Sequence, residues 1–447
     1  MLDINLIRNN PELVKRGVAS KNINPKLVDD FLALDENWRK LTKEIDDLRA
    51  GQKKESKSFA VSKEALLRSG AMTRHSAQFK PLVSKEALLR AAKEIKAKIQ
   101  NSEADLKQLE IKREEILEQI PNLPLDDVPV GKDESENVVI REVGEKPKFN
   151  FQPEDHLELG KSLDLIDFET GAKVSGSNFY YLKNQAALLE LALINYAFDI
   201  LTKEGFTPMI TPDLARQKFY TGTGYLPQGP EAQTYEIKDS DLGLIATAEI
   251  TLAGIHSDEI LDEKDLPKKY AGFSHCFRLE AGSYGKYSKG LYRIHQFSKV
   301  EMYVYCLPEE SEKTHQYLLS LEEKIFQGLG IPYRVVEMCT GDLGAQAAKK
   351  YDLEAWMPGR GDWGEITSTS NTTDYQARRL NIRYRSQKSE VRGQKLEYVH
   401  TLNGTAIAIS RAIIAILENY QQKDGSIIIP EALRKYMGGI KKISSKR

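Results

Sequence analysis

The most informative segment of the chain for chemistry is CFRLEAGSYGKYSKGLYRIHQFSKVEM, Cys276–Met302. Arg278 and Glu280 stand two apart, the spacing that puts side chains on one face of a strand. A turn rich in Gly, Ser and Tyr follows from Gly282 to Gly290, and then a second expected strand through Arg293, Gln296, Phe297 and Glu301. A guanidinium neutralises phosphate, a carboxylate accepts from an adenine amino group, and a phenyl ring stacks on a base. An antiparallel hairpin presenting these groups suits a nucleotide. On spacing alone, an ordinary hairpin with surface ion pairs accounts for the same residues.

Other candidate groups carry less. TGTGYLPQG, Thr221–Gly229, is glycine-rich but has no phosphate-loop lysine, and reads as a mobile loop beside a site. His295 and His400 read as structural rather than as acid–base groups. A strand is expected to carry Arg378, Arg379, Arg383 and Arg385, for RNA contact or for surface pairing. The three cysteines, Cys276, Cys306 and Cys339, are odd in number and widely spaced. That argues against a disulfide framework or a cysteine zinc site and fits a reducing cytoplasm.

FRLE, the glycine-rich turn and GLYRIHQF together resemble motif 2 of class II aminoacyl-tRNA synthetases, in the form FRxEAGSYG…RxHQFxKVEM typical of bacterial-type seryl-tRNA synthetases. The likeness continues, in order, through TAE at Thr247–Glu249, CTGDLG at Cys339–Gly344, EITS at Glu365–Ser368, TLNGT at Thr401–Thr405 and ISRAIIAILENYQ at Ile409–Gln421. It covers nearly the whole chain. It implies ATP-dependent attachment of L-serine to tRNA-Ser, and to tRNA-Sec, through a seryl-adenylate.

The resemblance also implies residue roles. Arg278 would hold the α-phosphate and the serine carboxylate, Glu280 would read the adenine, and Arg411 would grip the γ-phosphate; these three are the expected catalytic groups. Phe297 and the backbone near Ile294 would complete the adenine slot, with Leu279 alongside. Glu365 and Ser368 would bind an ATP-bridging Mg²⁺, flanked by Ile366 and by Thr367, which stands where serine is more usual. Thr247, Ala248, Glu249, Glu301, Asn403 and Thr405 would join Arg278 around L-serine. Pro212, in TPMITP, resembles the motif 1 proline at a homodimer interface. A silent paralogue is disfavoured because Arg278, Glu280, Glu365 and Arg411 are all present.

These residues need a scaffold, and the sequence divides it in two. Leu27, Phe31, Leu34, Trp38, Leu41, Ile45 and Leu48 form a heptad seam. A second seam runs through Ala92, Ile95, Ile99, Ser102, Leu106, Leu109, Arg113, Ile116 and Ile120, with two polar interruptions. Two such helices joined once predict an antiparallel coiled-coil hairpin whose facing residue numbers sum to about 147, which puts the turn near Ser69-Gly70. A helix from about 27 to 68 would run on the order of 60 Å and should protrude. VSKEALLR occurs at Val61–Arg68 and again at Val83–Arg90, so the tip, about 60–83, reads as lengthened by a short duplication.

Residues 1–120 are thus expected to form a tRNA-binding domain with this arm. Pro121, Pro124 and Pro129 open a linker over 121–150. From 151 to 447, short β runs at Phe179–Leu182, Val300–Tyr305 and Tyr333–Glu337 alternate with helical stretches at Ala186–Thr202 and Ser311–Leu329. That pattern predicts an α+β catalytic domain on an antiparallel sheet.

Composition agrees with an ordinary globular chain: 447 residues, 40% hydrophobic and 29% charged. No run of 18 or more apolar residues exists, so no membrane span is expected, and the first residues hold no apolar stretch of signal-peptide length. The net charge of −1 hides an asymmetry. Residues 51–98 hold twelve Lys/Arg against four Asp/Glu, a local +8, so the remainder carries −9. A basic block of that size fits a polyanionic partner, which the resemblance identifies as tRNA.

Overall fold

The computed structural model describes residues 1–69, 85–225, 234–280, 289–386 and 396–445. The chain forms two compact units, one of Ile4–Lys15 with Asn24–Ile120, the other of Met1–Asp3, Arg16–Ile23 and Pro121–Arg447.

The first unit is built on two long helices, α1 (Lys26–Ser69) and α2 (Lys85–Gln119). Every residue of the first seam is buried or half-buried, with Phe31 and Ile45 fully inside. Asp35 meets Arg113 and Trp38 meets Glu110 across the pair, as the expected facing sum requires. Arg113, read as a polar interruption, is matched from the other helix. Asp35 is 0% exposed and accepts from Arg8, Arg39 and Arg113 at 2.8–3.1 Å. The Arg113 guanidinium also lies over the rings of Phe31 and Trp38. Ala92, expected in the second seam, is exposed. The duplicated tip lies outside the described residues, apart from the helix ends.

The second unit centres on an eight-stranded sheet. Its strands are β1 (Val138–Val143), β2 (Thr207–Ile210), β3 (Lys268–Phe277), β4 (Gln296–Cys306), β5 (Tyr333–Glu337), β6 (Lys349–Met357), β7 (Asp362–Asn371) and β8 (His400–Ala408). Their order is β1-β5-β6-β7-β8-β4-β3-β2. All neighbours are antiparallel except β2 on β3, which is parallel. The architecture is the expected α+β one.

Helices α3 (Gln185–Lys203), α4 (Ser311–Gly328) and α5 (Ile409–Asn419) join the sheet in the main core. Strand alternation then sorts β4: Val300, Met302, Val304 and Cys306 enter that core, leaving Lys299, Glu301 and Tyr303 for the opposite face. Helix α3 is long and apolar enough by composition to cross a membrane. Its inward residues, Leu189, Leu193, Ala197 and Leu201 among them, are instead buried in this core.

Two readings need correction. Arg378 and Arg379 lie on a short helix, Tyr375–Leu380, and only Arg383 and Arg385 lie on a strand; Asn381 between them takes a left-handed φ of 54°. Arg378 pairs with Asp374 and Asp3, and Arg379 donates to the Thr221 carbonyl. The second correction falls within the site.

Candidate active site

Strand β3 ends at Phe277, so Arg278 and Glu280 do not alternate on a strand as their spacing predicts. Glu280 adopts a left-handed φ of 51°, which breaks the pleat at the start of the turn. The ladder persists one residue further, because the Arg278 N–H donates to the His295 carbonyl and the His295 ring meets the Arg278 carbonyl. Both side chains still line one cleft of about 500 Å³. The Arg278 guanidinium lies 5.2 Å from the centroid of the Phe297 ring, and Glu280 pairs with Arg293 at 3.4 Å. β4 begins at Gln296, which leaves Arg293 just before the strand. The turn residues 281–288 lie outside the described set.

Across the cleft, β7 carries Glu365 and Ser368. Residues three apart on a regular strand face opposite ways. Here Glu354 pairs with Glu365 but Leu353 with Thr367, so Ile366 is an extra residue in a bulge, and Glu365 and Ser368 both reach the cleft. The bulge also turns the Thr367 hydroxyl to the helix side, where it donates to Glu322 on α4 at 2.7 Å. Arg411, on the first turn of α5, bonds Glu365 Oε1 at 2.8 Å and lies over the Tyr292 ring. Burial alone would raise the Glu365 carboxyl; Arg411, Lys350 and Arg278 outweigh it and hold the group well below the usual carboxylate range. Glu365 and Ser368 offer hard oxygens in the same cleft. No cluster of three His, Cys, Asp or Glu able to hold a metal exists among the described residues. This donor set fits a magnesium bound mainly through phosphate rather than in a protein cage.

The third wall is polar and largely buried. Glu301 on β4 faces Thr405 on β8, whose hydroxyl lies 3.3 Å from Glu301 Oε2. Lys299, two residues earlier on the same face, approaches that oxygen at 2.6 Å. Glu249, at the start of the helix Glu249–Ala253, accepts from Asn403 at 2.9 Å, Gln376 at 2.7 Å and the Tyr225 hydroxyl at 3.1 Å. Burial, and then the nearby Glu301 charge, push the Glu249 carboxyl up to about 7. Thr247 and Ala248 lie beneath this wall: the Thr247 hydroxyl accepts from the Glu249 N–H, and Ala248 belongs to a buried apolar cluster. Leu279 is also outside the cleft lining, 38% exposed. Ile294, Phe297, Ile366, Asn403 and Thr405 all line it.

Sequence reasoning missed Lys299, Tyr225 and Gln376. Lys299 was available from alternation, two residues from Glu301 and two from Phe297. Tyr225 falls in the glycine-rich loop that the sequence puts beside a site, though not there as a partner of Glu249, and residues 226–229 of that loop lie outside the described set; Gln376 carries no local signal.

Residues 1–124 match the seryl-tRNA synthetase N-terminal domain, and residues 234–420 match the class II tRNA synthetase core domain of the G, H, P, S and T type. The serine–tRNA ligase of Dictyoglomus turgidum is 54% identical over 98% of each chain. The chain belongs to the serine–tRNA ligase family. The serine–tRNA ligase of Rubrobacter xylanophilus is 50% identical over 98% of each chain. Among solved structures, the seryl-tRNA synthetase of Pyrococcus horikoshii complexed with ATP superposes with a TM-score of 0.89 at 44% identity over all of both chains. The cytoplasmic serine–tRNA ligase of Naegleria fowleri in complex with AMP gives 0.82 at 34% identity, covering 100% of this chain and 99% of that one. Membership of the serine–tRNA ligase family accounts for a cleft that joins an arginine–carboxylate wall to a small buried polar pocket.

Proposed function

We propose that this chain activates L-serine with ATP and transfers it to tRNA-Ser, and to tRNA-Sec, in the cytoplasm. The observation that carries the reading is the convergence of Arg278, Glu365 and Arg411 on one cleft whose far end holds the Glu301–Thr405 pair.

The serine carboxylate attacks the α-phosphorus in line, a new oxygen–phosphorus bond forms, and pyrophosphate leaves. Two anions must approach each other, so preset positive charge lowers the barrier. Arg278 takes the α-phosphate and the serine carboxylate, and Arg411 takes the γ-phosphate. Phe297 and the backbone at Ile294 sandwich the adenine that Glu280 reads. Magnesium, held by Glu365 and Ser368, would neutralise charge shared between phosphates. The terminal ribose hydroxyl of the tRNA then attacks the mixed anhydride and releases AMP.

In this reading Glu249 receives the serine ammonium, and Glu301 with Thr405 pairs its hydroxyl. Alanine or glycine would leave the latter two groups unsatisfied in a buried pocket, the kind of mismatch that rejects an analogue by on the order of 10⁴. Threonine is excluded by size. The Thr367 hydroxyl, committed to Glu322, acts as support for the ATP strand.

The arm, within residues 1–120, is assigned to tRNA, residues 121–150 to a linker and 151–447 to catalysis. A homodimer fits the apolar side chains left open on one edge of the sheet: Leu191 on α3 is 57% exposed and Ile210 on β2 is 83% exposed, with Pro212 just beyond. The test is serine-dependent ATP–pyrophosphate exchange, followed by charging of purified tRNA-Ser. Exchange stimulated by another amino acid and not by serine would sink the reading.

A further inference from the structure

The segment Gly344–Ala348 is neither helix nor strand, yet all five of its carbonyls are taken. The Lys21 ammonium, 7% exposed, donates to the carbonyls of Gly344 at 2.8 Å, Ala345 at 3.4 Å and Ala347 at 2.6 Å. Asn122, 3% exposed, supplies its backbone N–H to Ala345 at 2.8 Å and its side-chain amide to Gln346 at 3.0 Å. The same amide reaches the Thr372 carbonyl at 2.8 Å and the Thr373 hydroxyl at 3.1 Å. The Leu125 N–H takes the Ala348 carbonyl at 2.9 Å. Irregular backbone without its own ladder must find partners elsewhere, and here they come from residues 21, 122 and 125.

What this segment supports is part of the cleft. Gly344 and Gln346 line it. Gln346 packs against Gly224, where a Cβ would come within 3.1 Å of the Gln346 Cβ and where φ is +97°. The next residue is Tyr225, whose hydroxyl holds Glu249 Oε2. A continuous path of contacts therefore runs from Lys21 and Asn122 to Gln346, Gly224, Tyr225 and Glu249. Neither Lys21 nor Asn122 lines the cleft.

We propose that Lys21 and Asn122 are positioning residues for the amino-acid half of the cleft: they fix segment 344–348, which holds Gly224–Tyr225 in place and through them the Glu249 carboxylate. This rests on the reading that Glu249 receives the serine ammonium. Only the C-terminal end of 344–348 joins the sheet, through the Ala348 N–H on the Asn371 carbonyl at 2.8 Å, so the carbonyls of residues 344–347 depend on Lys21 and Asn122. Gly224 and Tyr225 keep their N–H bonds to the Tyr220 carbonyl, so loosening the segment removes the Gln346 packing behind them, shifts the Tyr225 hydroxyl and weakens serine binding, whereas the contacts of Arg278, Arg411 and Glu365 are untouched.

The test uses the full chain in serine-dependent ATP–pyrophosphate exchange, with Lys21→Met and Asn122→Ala. The expected result is a rise in serine KM of about tenfold, with kcat and the ATP KM within about twofold of the unsubstituted protein. A purely structural role would lower kcat through loss of active protein and leave the serine KM unchanged, and that result overturns the proposal. Should Lys21→Met not fold, as judged by its unfolding midpoint, Asn122→Ala and the charge-keeping Lys21→Arg are read by the same split at smaller amplitude. An unsubstituted protein that shows no exchange with serine removes the functional reading and this inference with it. Exchange in the unsubstituted protein with a normal serine KM in the variants removes this inference alone.

Discussion

Glu249 shares its two oxygens among Asn403, Gln376 and Tyr225, yet its carboxyl sits near 7 because burial and Glu301 oppose its charge. A raised carboxyl is neutral below that value and ionised above it, and only the ionised form pairs with the serine ammonium. Serine KM should therefore rise as pH falls, by about tenfold between pH 8 and pH 6, and Glu249→Gln should flatten the profile at a high KM. Pyrophosphate exchange across that range checks it, and a flat profile in the unsubstituted protein refutes the role given to Glu249. Glu301 makes a second prediction. Glu301→Ala strips the Thr405 hydroxyl and the Lys299 ammonium of a buried partner, so kcat/KM for serine should fall by on the order of 10⁴. Near-normal exchange would remove Glu301 from the pocket. Arg278, Glu365 and Arg411, the residues assigned above to phosphate and magnesium, were legible because each sits in a long motif. Tyr225 was legible only as part of a glycine-rich loop beside the site and Gln376 not at all, since a single Tyr or Gln becomes a partner of Glu249 only once the chain has folded.

Periodicity delivered the long elements and failed where the backbone departs from regularity. Strand Tyr333–Glu337 and helices α3 and α4 follow from apolar spacing alone, whereas α5 entered only as part of a motif. The hairpin over Arg278–Glu280 did not, because a left-handed residue at Glu280 ends the strand, and alternation has no way to register that. The bulge at Ile366 is similarly silent in the sequence, although it alone lets Glu365 and Ser368 face the same way. In the helical pair the heptad count was right, but a polar residue in the seam reads as a defect until its partner is known. Asp35, fully buried, meets the half-buried Arg113 and Arg8 there. Burial would raise the Asp35 carboxyl, but hydrogen bonds from Arg8 and Arg113 outweigh it and hold it below the usual carboxylate range. Its stabilisation is thus present above that range and lost as pH falls through its own lowered value. Asp35→Ala leaves Arg113 uncompensated and should cost about 3 kcal/mol in the local stability of the pair. Amide exchange should then quicken by about 100-fold across the facing stretches near Asp35 and Arg113, with serine activation unchanged. Unaltered protection in those stretches would show that the apolar seam suffices without the ion cluster.

The basic block of the chain and the apolar edge of its sheet involve different residues, and the proposed function gives each a different partner. The +8 of residues 51–98 fits a polyanion, while the rest of the chain is net acidic. Both edge strands of the sheet leave aliphatics open: Val138, Val139 and Ile140 on β1 are 42–44% exposed, and β2, at the other end of the order, carries Ile210 at 83% exposure. Leu188 and Leu191 stand 45% and 57% exposed on α3, whose inward face is committed to the core. Isolated exposed leucines need no explanation, but the homodimer proposed above would cover an edge strand and an adjoining helix that both leave large aliphatics open. A second copy applied through a two-fold axis would cover β2 with its own β2 and bury the same residues on both sides. Each isoleucine buried there contributes about 2 kcal/mol. Because the contact is self-complementary, one substitution acts twice: Ile210→Glu brings two carboxylates into the apolar centre of the interface. Sedimentation equilibrium should show the unsubstituted protein at twice the chain mass and Ile210→Glu as a monomer at micromolar concentration, with Leu191→Glu intermediate. A chain that sediments as a monomer without any substitution would leave this apolar edge without the partner assigned to it.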